Sequence, residues 1–236
     1  MDEAQLRATL ASRLAAVEER LRAACRRAGR DRSEVTLVAV TKTVSAEVAA
    51  LLPGLGVADL GESRPQELWR KAAALPASVR WHLIGHLQRN KVERTLPLVY
   101  RVHSADSVRL LRAIEDDLAK RNATLDVLLE VNASGEASKH GFAPTDVPGL
   151  APELAALRNA RVAGLMTMAA YEEDAERCRA TFAALRHQRD ELRPLVEPRH
   201  TLEHLSMGMS NDFEVAIEEG ATLVRLGSVL FEGLPQ

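Results

Sequence analysis

The feature that most constrains the fold is an alternation. Eight short apolar runs rich in β-branched residues, at 35–40, 57–60, 81–84, 99–103, 125–131, 162–166, 201–205 and 222–226, are separated by stretches of helical periodicity. Helices are predicted over 46–52, 66–74, from 88, over 106–120, from 152, over 172–192 and over 212–219. The first run, Val35-Thr36-Leu37-Val38-Ala39-Val40, is too continuous for a strand with one wet face and suits burial on both. Strands alternating with helices run parallel through right-handed crossovers, and eight such units in 236 residues suit a closed ring better than an open sheet. The expected class is therefore α/β, as a single-domain (β/α)8 TIM barrel over 35–236; a doubly wound sheet is the second choice. Ahead of it, Leu6, Leu10, Leu14, Val17, Leu21 and Ala24 mark one face of a leading helix within 1–29, stopped by Gly29. The Pro- and Gly-containing stretches at 53–54 and 144–149 read as loops inside the repeat, so 1–236 is expected to be one domain.

Charge excludes some partners. A net charge of −2 gives no electrostatic reason to expect nucleic acid or an anionic membrane. Arg7, Arg13, Glu18, Glu19 and Arg20 interrupt any N-terminal apolar core of a signal peptide, and no apolar run approaches bilayer length. Cys25 and Cys178, alone and far apart, suggest neither a disulfide framework nor a thiolate zinc site. The reading is a soluble protein of the reducing cytoplasm.

In such a barrel, chemistry gathers where strands end. Lys42 closes the first strand, and the apolar run leading into it predicts a desolvated amine able to attack an aldehyde. The alternative is a solvated loop lysine. Between strand seven and the next helix, Leu205-Ser206-Met207-Gly208-Met209-Ser210-Asn211-Asp212 offers backbone N–H groups, a glycine and the Ser210 hydroxyl to an anion, or else a helix start with no ligand. Val224-Arg225-Leu226-Gly227-Ser228 supplies a second half, in which Gly227 permits close approach and Ser228 opens another helical turn. Arg225, inside an apolar strand, must turn outward or find an acceptor such as a ring nitrogen or carboxylate. A nucleophilic amine facing a phosphate cradle fits a small molecule carrying both an aldehyde and a phosphate, and pyridoxal 5′-phosphate (PLP) has that shape.

Weaker candidates surround this set. His82, bracketing Gly85 with His86, could touch the ligand, and Met166, Met207 and Met209 could pad one face of a ring or simply fill the core. Lys91, Lys139 and His140 are basic groups of the barrel mouth or of plain solvated surface, and His103 reads as an ordinary strand-end histidine. His200-Thr201-Leu202-Glu203-His204 matches a zinc-protease string that needs a helix; here it enters a strand, and no metal is expected.

Taken in order, Val38-Ala39-Val40-Thr41-Lys42, Gly61-Glu62-Ser63-Arg64, Trp81-His82-Leu83-Ile84-Gly85-His86-Leu87-Gln88, Gly164-Leu165-Met166-Thr167-Met168 and the two C-terminal segments resemble the pyridoxal phosphate homeostasis proteins, over almost the whole chain. The resemblance implies a barrel similar to the N-terminal barrel of alanine racemase. It also implies a Schiff base on Lys42, phosphate contacts from Ser210, Gly227 and Ser228, Arg225 opposite the pyridine nitrogen, and no established turnover. A guanidinium there disfavours ring protonation and weakens the cofactor as an electron sink. Implied partners are PLP and related B6 vitamers, with apo forms of PLP-dependent enzymes as recipients; the chain is expected to be a monomer.

Racemases with this barrel add a second domain carrying a catalytic tyrosine, whereas this chain ends at Gln236 and has only Tyr100 and Tyr171. A PLP-dependent racemase using Tyr171 or His82 is the runner-up. A Schiff-base aldolase for phosphorylated sugars is third, since no carboxylate or tyrosine is obviously placed beside Lys42. Ser63 stands where the family has asparagine and Ser228 where it has threonine, and Phe231-Glu232-Gly233 replaces a phenylalanine-glycine ending. Ser228 keeps the hydroxyl, whereas Ser63 shortens a polar arm near the ring.

Overall fold

The structure, a computed structural model, describes residues 2–133 and 140–235. Helix α1 (Glu3–Arg27) starts from a capping box in which Asp2 accepts the Gln5 N–H and Gln5 accepts the Asp2 N–H. Its buried residues are Leu10, Val17, Leu21, Ala24 and Cys25, four of them on the face expected from the periodicity.

Eight strands follow: β1 (Thr36–Val40), β2 (Asp59–Glu62), β3 (Arg80–Leu83), β4 (Arg101–Ala105), β5 (Leu125–Glu130), β6 (Ala160–Met166), β7 (His204–Ser206) and β8 (Leu223–Leu226). Each is parallel to its neighbours, and β8 returns to β1 with Thr36 opposite Leu223 and Ala39 opposite Leu226. That last pairing closes the barrel and removes the doubly wound alternative. Helices α2 (Ala46–Ala49), α3 (Pro65–Ala74), α4 (Val92–Thr95), α5 (Val108–Arg121), α6 (Ala151–Ala155), α7 (Arg179–Val196), α8 (Phe213–Glu218) and α9 (Ser228–Phe231) fall in the connections. Contacts of α1 are mainly with α8 and α9, so the leading helix backs the loops that follow β7 and β8.

Several strands begin later than the apolar runs, for local reasons. Val57 N–H still bonds the Leu52 carbonyl, and Val99 N–H bonds Leu96, so both residues finish turns before β2 and β4 start. Leu202 has a positive φ of 46°, which an extended chain cannot hold, and β7 starts two residues beyond it. The stretch from 88 is a 3-10 turn (Arg89–Lys91) leading into the single turn of α4, and the helix predicted from 172 begins with a 3-10 turn (Ala175–Cys178) before α7.

The main apolar core lies between strands and helices, and a small cluster of Val38, Leu128, Ala163, Met166 and Leu223 forms a second one. Leu223 and Arg225 are two apart on β8 and so share a face. Gly164 is required where β6 meets β7, because a Cβ there would lie 1.9 Å from the His204 carbonyl oxygen. Among the described residues no helix is long and apolar enough to cross a membrane.

Candidate functional site

A cavity of about 720 Å³ opens at the C-terminal ends of the strands. Its walls include Lys42, just past β1; Ser63, just past β2; Ser210, past β7; and Arg225, Gly227 and Ser228, from the end of β8 and beyond. Six of the ten residues expected from sequence therefore meet in one space, with Met168, Tyr171 and Met209 beside them.

Lys42 is exposed, which corrects the expectation of a desolvated amine: burial stops at Thr41, which is fully enclosed. Thr41 is held firmly. Its N–H bonds the Gly61 carbonyl at 3.0 Å, its hydroxyl donates to Glu62 Oε1 at 2.7 Å, and its carbonyl accepts from Lys71 Nζ at 2.6 Å. Lys71 also donates to Glu62 Oε1 at 2.6 Å; this pair is 1% and 0% exposed, and Glu62 Oε2 has no hydrogen-bond partner among the described residues. A cleft lined by Lys42, Glu62, Ser63 and Glu67 adjoins the cavity, so carboxylates do lie near Lys42, contrary to the sequence reading. One of them is already committed to Lys71.

The anion end is built from two loops. Ser210 Oγ accepts N–H groups of Gly227 at 3.2 Å and Val229 at 3.3 Å, tying the β7–α8 loop to the start of α9. Asp212 Oδ1 accepts the Met209 N–H at 2.6 Å and shapes the first loop, while burial pushes its carboxyl up. The backbone N–H groups of Ser210, Asn211 and Ser228 meet no acceptor among the described residues. Because α8 and α9 are short, these donors, more than helix dipoles, make the concavity anion-ready. A Cβ at Gly227 would come no closer than 3.4 Å to any protein atom, so protein packing alone does not demand glycine there.

Arg225 points inward and is almost fully buried. Nη1 donates to Ser206 Oγ at 2.6 Å and Nη2 to the Thr167 carbonyl at 2.9 Å. Burial pulls its pKa down to about 10 against the opposing charges of Asp212 and Glu130, which leaves it cationic at neutral pH.

The other four expected residues do not line this cavity. His82 is fully buried between Asp59 and His103. Met166 belongs to the small apolar cluster and Met207 to the main core. Gly208 serves packing: it sits at φ +92°, and a Cβ would lie 2.6 Å from Ala216 Cβ and 2.9 Å from Phe213 Cα. Of the weaker candidates, Lys139 lies outside the described residues. His200 accepts the Val162 N–H at 3.0 Å through Nδ1 and meets the Leu154 carbonyl at 2.8 Å through Nε2, so the zinc-like string supports backbone.

Among the described residues, one cluster has the makings of a metal site: His86, Asp106 and His140 bring ligand atoms within 4.8 Å of one another. His86 Nδ1 already lies 2.7 Å from Asp106, and the two imidazoles stack at 4.7 Å.

Two groups escaped the sequence reading. The Glu62–Lys71 pair left no signal, since nothing in α3 marks Lys71 as buried. Glu130, the last residue of β5, was visible as an acid inside an apolar run. Burial first, and the Asp106 charge second, push its carboxyl up to about 7, with Arg225 and His86 opposing, and that carboxyl bonds no described residue.

Fold and site define a barrel of the class described as "Alanine racemase, N-terminal domain", whose family model matches residues 12–235. Within that class, the chain belongs to the pyridoxal phosphate homeostasis protein family. The pyridoxal phosphate homeostasis protein of Aquifex aeolicus (strain VF5) is 44% identical over 220 residues, covering 93% of this chain and 96% of that one. A crystal structure of an unknown protein from Bifidobacterium adolescentis matches at a TM-score of 0.91 and 36% identity, covering 98% and 97% of the two chains. The structure of PipY of Synechococcus elongatus PCC7942 with PLP bound matches at 0.80 and 31% identity, covering 94% and 99%.

Proposed function

We propose that this chain is a PLP homeostasis protein that holds the cofactor as a Schiff base on Lys42 and buffers or delivers it without turning over a substrate. The observation that carries the reading is the convergence, in one cavity, of an accessible lysine, a buried guanidinium and the two loops joined by Ser210. The Lys42 amine adds to the aldehyde and water leaves, forming the imine; Ser210, Gly227 and Ser228 receive the phosphate; Arg225 faces the pyridine nitrogen, and Ser63 lies beside the ring. The PLP-bound relative supports the cofactor and the family names support homeostasis.

Arg225 also argues for storage, because a permanent cation keeps the ring nitrogen unprotonated and denies a carbanion its electron sink. Tyr171 gives the racemase reading a foothold, since it lines the cavity, but at 83% exposure it sits in water rather than in a pocket that would tune it as an acid or base. Residues 1–236 act as one cofactor-binding domain, monomeric and cytoplasmic, with PLP and other B6 vitamers as ligands and apo-enzymes as recipients.

Incubation with PLP should produce a visible imine band that Lys42→Ala abolishes; a band that survives the substitution removes the assignment. Deuterium incorporation at Cα of either alanine enantiomer in heavy water would establish turnover and defeat the storage reading.

A further inference from the structure

A chain of hydrogen bonds crosses the barrel interior from its N-terminal face to Arg225. At the outer end Asp59, the first residue of β2, accepts from Arg80 through both carboxylate oxygens. Asp59 Oδ1 lies 2.9 Å from His82 Nε2, and His82 Nδ1 lies 2.8 Å from His103 Nε2. His103 Nδ1 is 2.8 Å from Ser206 Oγ, a step that spans from β4 to the non-adjacent β7, and Ser206 Oγ accepts from Arg225 at 2.6 Å. His82, His103 and Ser206 are fully buried.

The Asp59 end sets the direction of every proton in the chain. Burial alone would raise the Asp59 carboxyl, but hydrogen bonds from His82 and Arg80 outweigh it and hold it at about 2, so Asp59 only accepts. Burial keeps both imidazoles neutral by lowering their pKa values. Arg225 has donors alone, so Ser206 accepts there; its hydrogen can go to His103 Nδ1, while its second lone pair could instead accept from that nitrogen, and the Asp59 carboxylate decides between the two. An accepting Nδ1 places the His103 proton on Nε2, where it serves His82 Nδ1. His82 then carries its proton on Nε2, toward Asp59. The reverse arrangement of neutral rings would set a bare imidazole nitrogen against the Asp59 carboxylate.

We propose that Asp59, His82, His103 and Ser206 are positioning residues that orient Arg225 through this one-way chain. The ends of β2 and β3 on the N-terminal face are thereby coupled to the guanidinium that lines the cavity. His82 thus acts on the ligand site at three removes. The orientation of Arg225 toward a pyridine nitrogen rests on the function proposed above; the proton order does not.

Nitrogen-15 NMR of the imidazoles in the cofactor-free protein tests the order. Both His82 and His103 should be neutral Nε2–H tautomers, and a His103 protonated on Nδ1 overturns the proposal. In Asp59→Asn, Arg80 competes for the amide oxygen and the amide NH2 is left facing His82. The chain should then reverse, and His103, which does not touch residue 59, should move its proton to Nδ1. A folded variant with His103 unchanged contradicts the coupling.

Ser206→Ala tests the consequence without touching Asp59: the Kd for PLP should rise about tenfold, the scale of one hydrogen bond to a charged group, with the Lys42 adduct still formed at saturation. An unchanged Kd overturns the positioning role. Failure of the unsubstituted protein to bind PLP defeats the cofactor reading and, with it, the positioning role toward that ligand, while the tautomer result still stands for or against the chain.

Discussion

Glu130→Gln should stabilise the cofactor-free protein at alkaline pH and leave it nearly unchanged in acid. Glu130 is 5% exposed, and its pKa is raised from an ordinary 4.5 to about 7, by burial first and then by Asp106. The sign follows from proton counts. Below pH 4.5 folded and unfolded chains both carry the proton, and the buried group costs nothing. Between 4.5 and 7 the folded chain keeps a proton that the unfolded chain has released, so folding loses stability as pH rises; above 7 the penalty is complete. The rise from 4.5 to about 7, at about 1.4 kcal/mol per tenfold change in proton affinity, gives a penalty of about 3.5 kcal/mol. Glutamine has nearly the same shape and never ionises, so the variant escapes that penalty, and other titrating groups cancel in the comparison. Urea unfolding of both proteins at pH 4 and pH 8 measures the difference, with equal m-values confirming comparable unfolding. The variant should gain about 3.5 kcal/mol at pH 8 and close to nothing at pH 4. A difference independent of pH would refute the reasoning, because it would show that Glu130 does not ionise at a cost in the folded barrel.

Other perturbations follow from the same geometry. Lys71→Met strands a carboxylate at 0% exposure and should cost about 3–5 kcal/mol in denaturant unfolding; adding Glu62→Gln should recover much of it. Gly208→Ala places a Cβ 2.6 Å from Ala216 Cβ at φ +92° and should lower thermal stability by an amount equivalent to about 2 kcal/mol or more. Ser210→Ala removes the hydroxyl that joins the two anion-binding loops and should weaken PLP binding about tenfold, measured by fluorescence titration, while Lys42 still reacts.

The barrel was legible because its signal is redundant. Eight buried runs each announce a strand, and shifted starts such as those of β2 and β7 leave the alternation intact. Boundaries were less readable, since turn hydrogen bonds at Val57 and Val99 and the left-handed Leu202 decide them and none of these shows as hydrophobicity. That Lys42, Ser210, Arg225, Gly227 and Ser228 meet around one cavity is legible because such barrels gather chemistry at strand ends. The buried places of His82, Met166 and Met207 are not readable, because nearness to a strand end in sequence does not say whether a side chain lies within the barrel or beyond its rim. At Gly208 the sequence does not reveal that close packing against α8 requires glycine. The chain from Asp59 to Arg225 was invisible, since its members come from five strands and meet only when the barrel closes.

Borohydride reduction of the protein with PLP, followed by intact mass and peptide mapping, tests the central claim most directly. One reduced adduct per chain, located on Lys42, is the expected result. An adduct on Lys71, Lys91 or another lysine, or none at all, would contradict it.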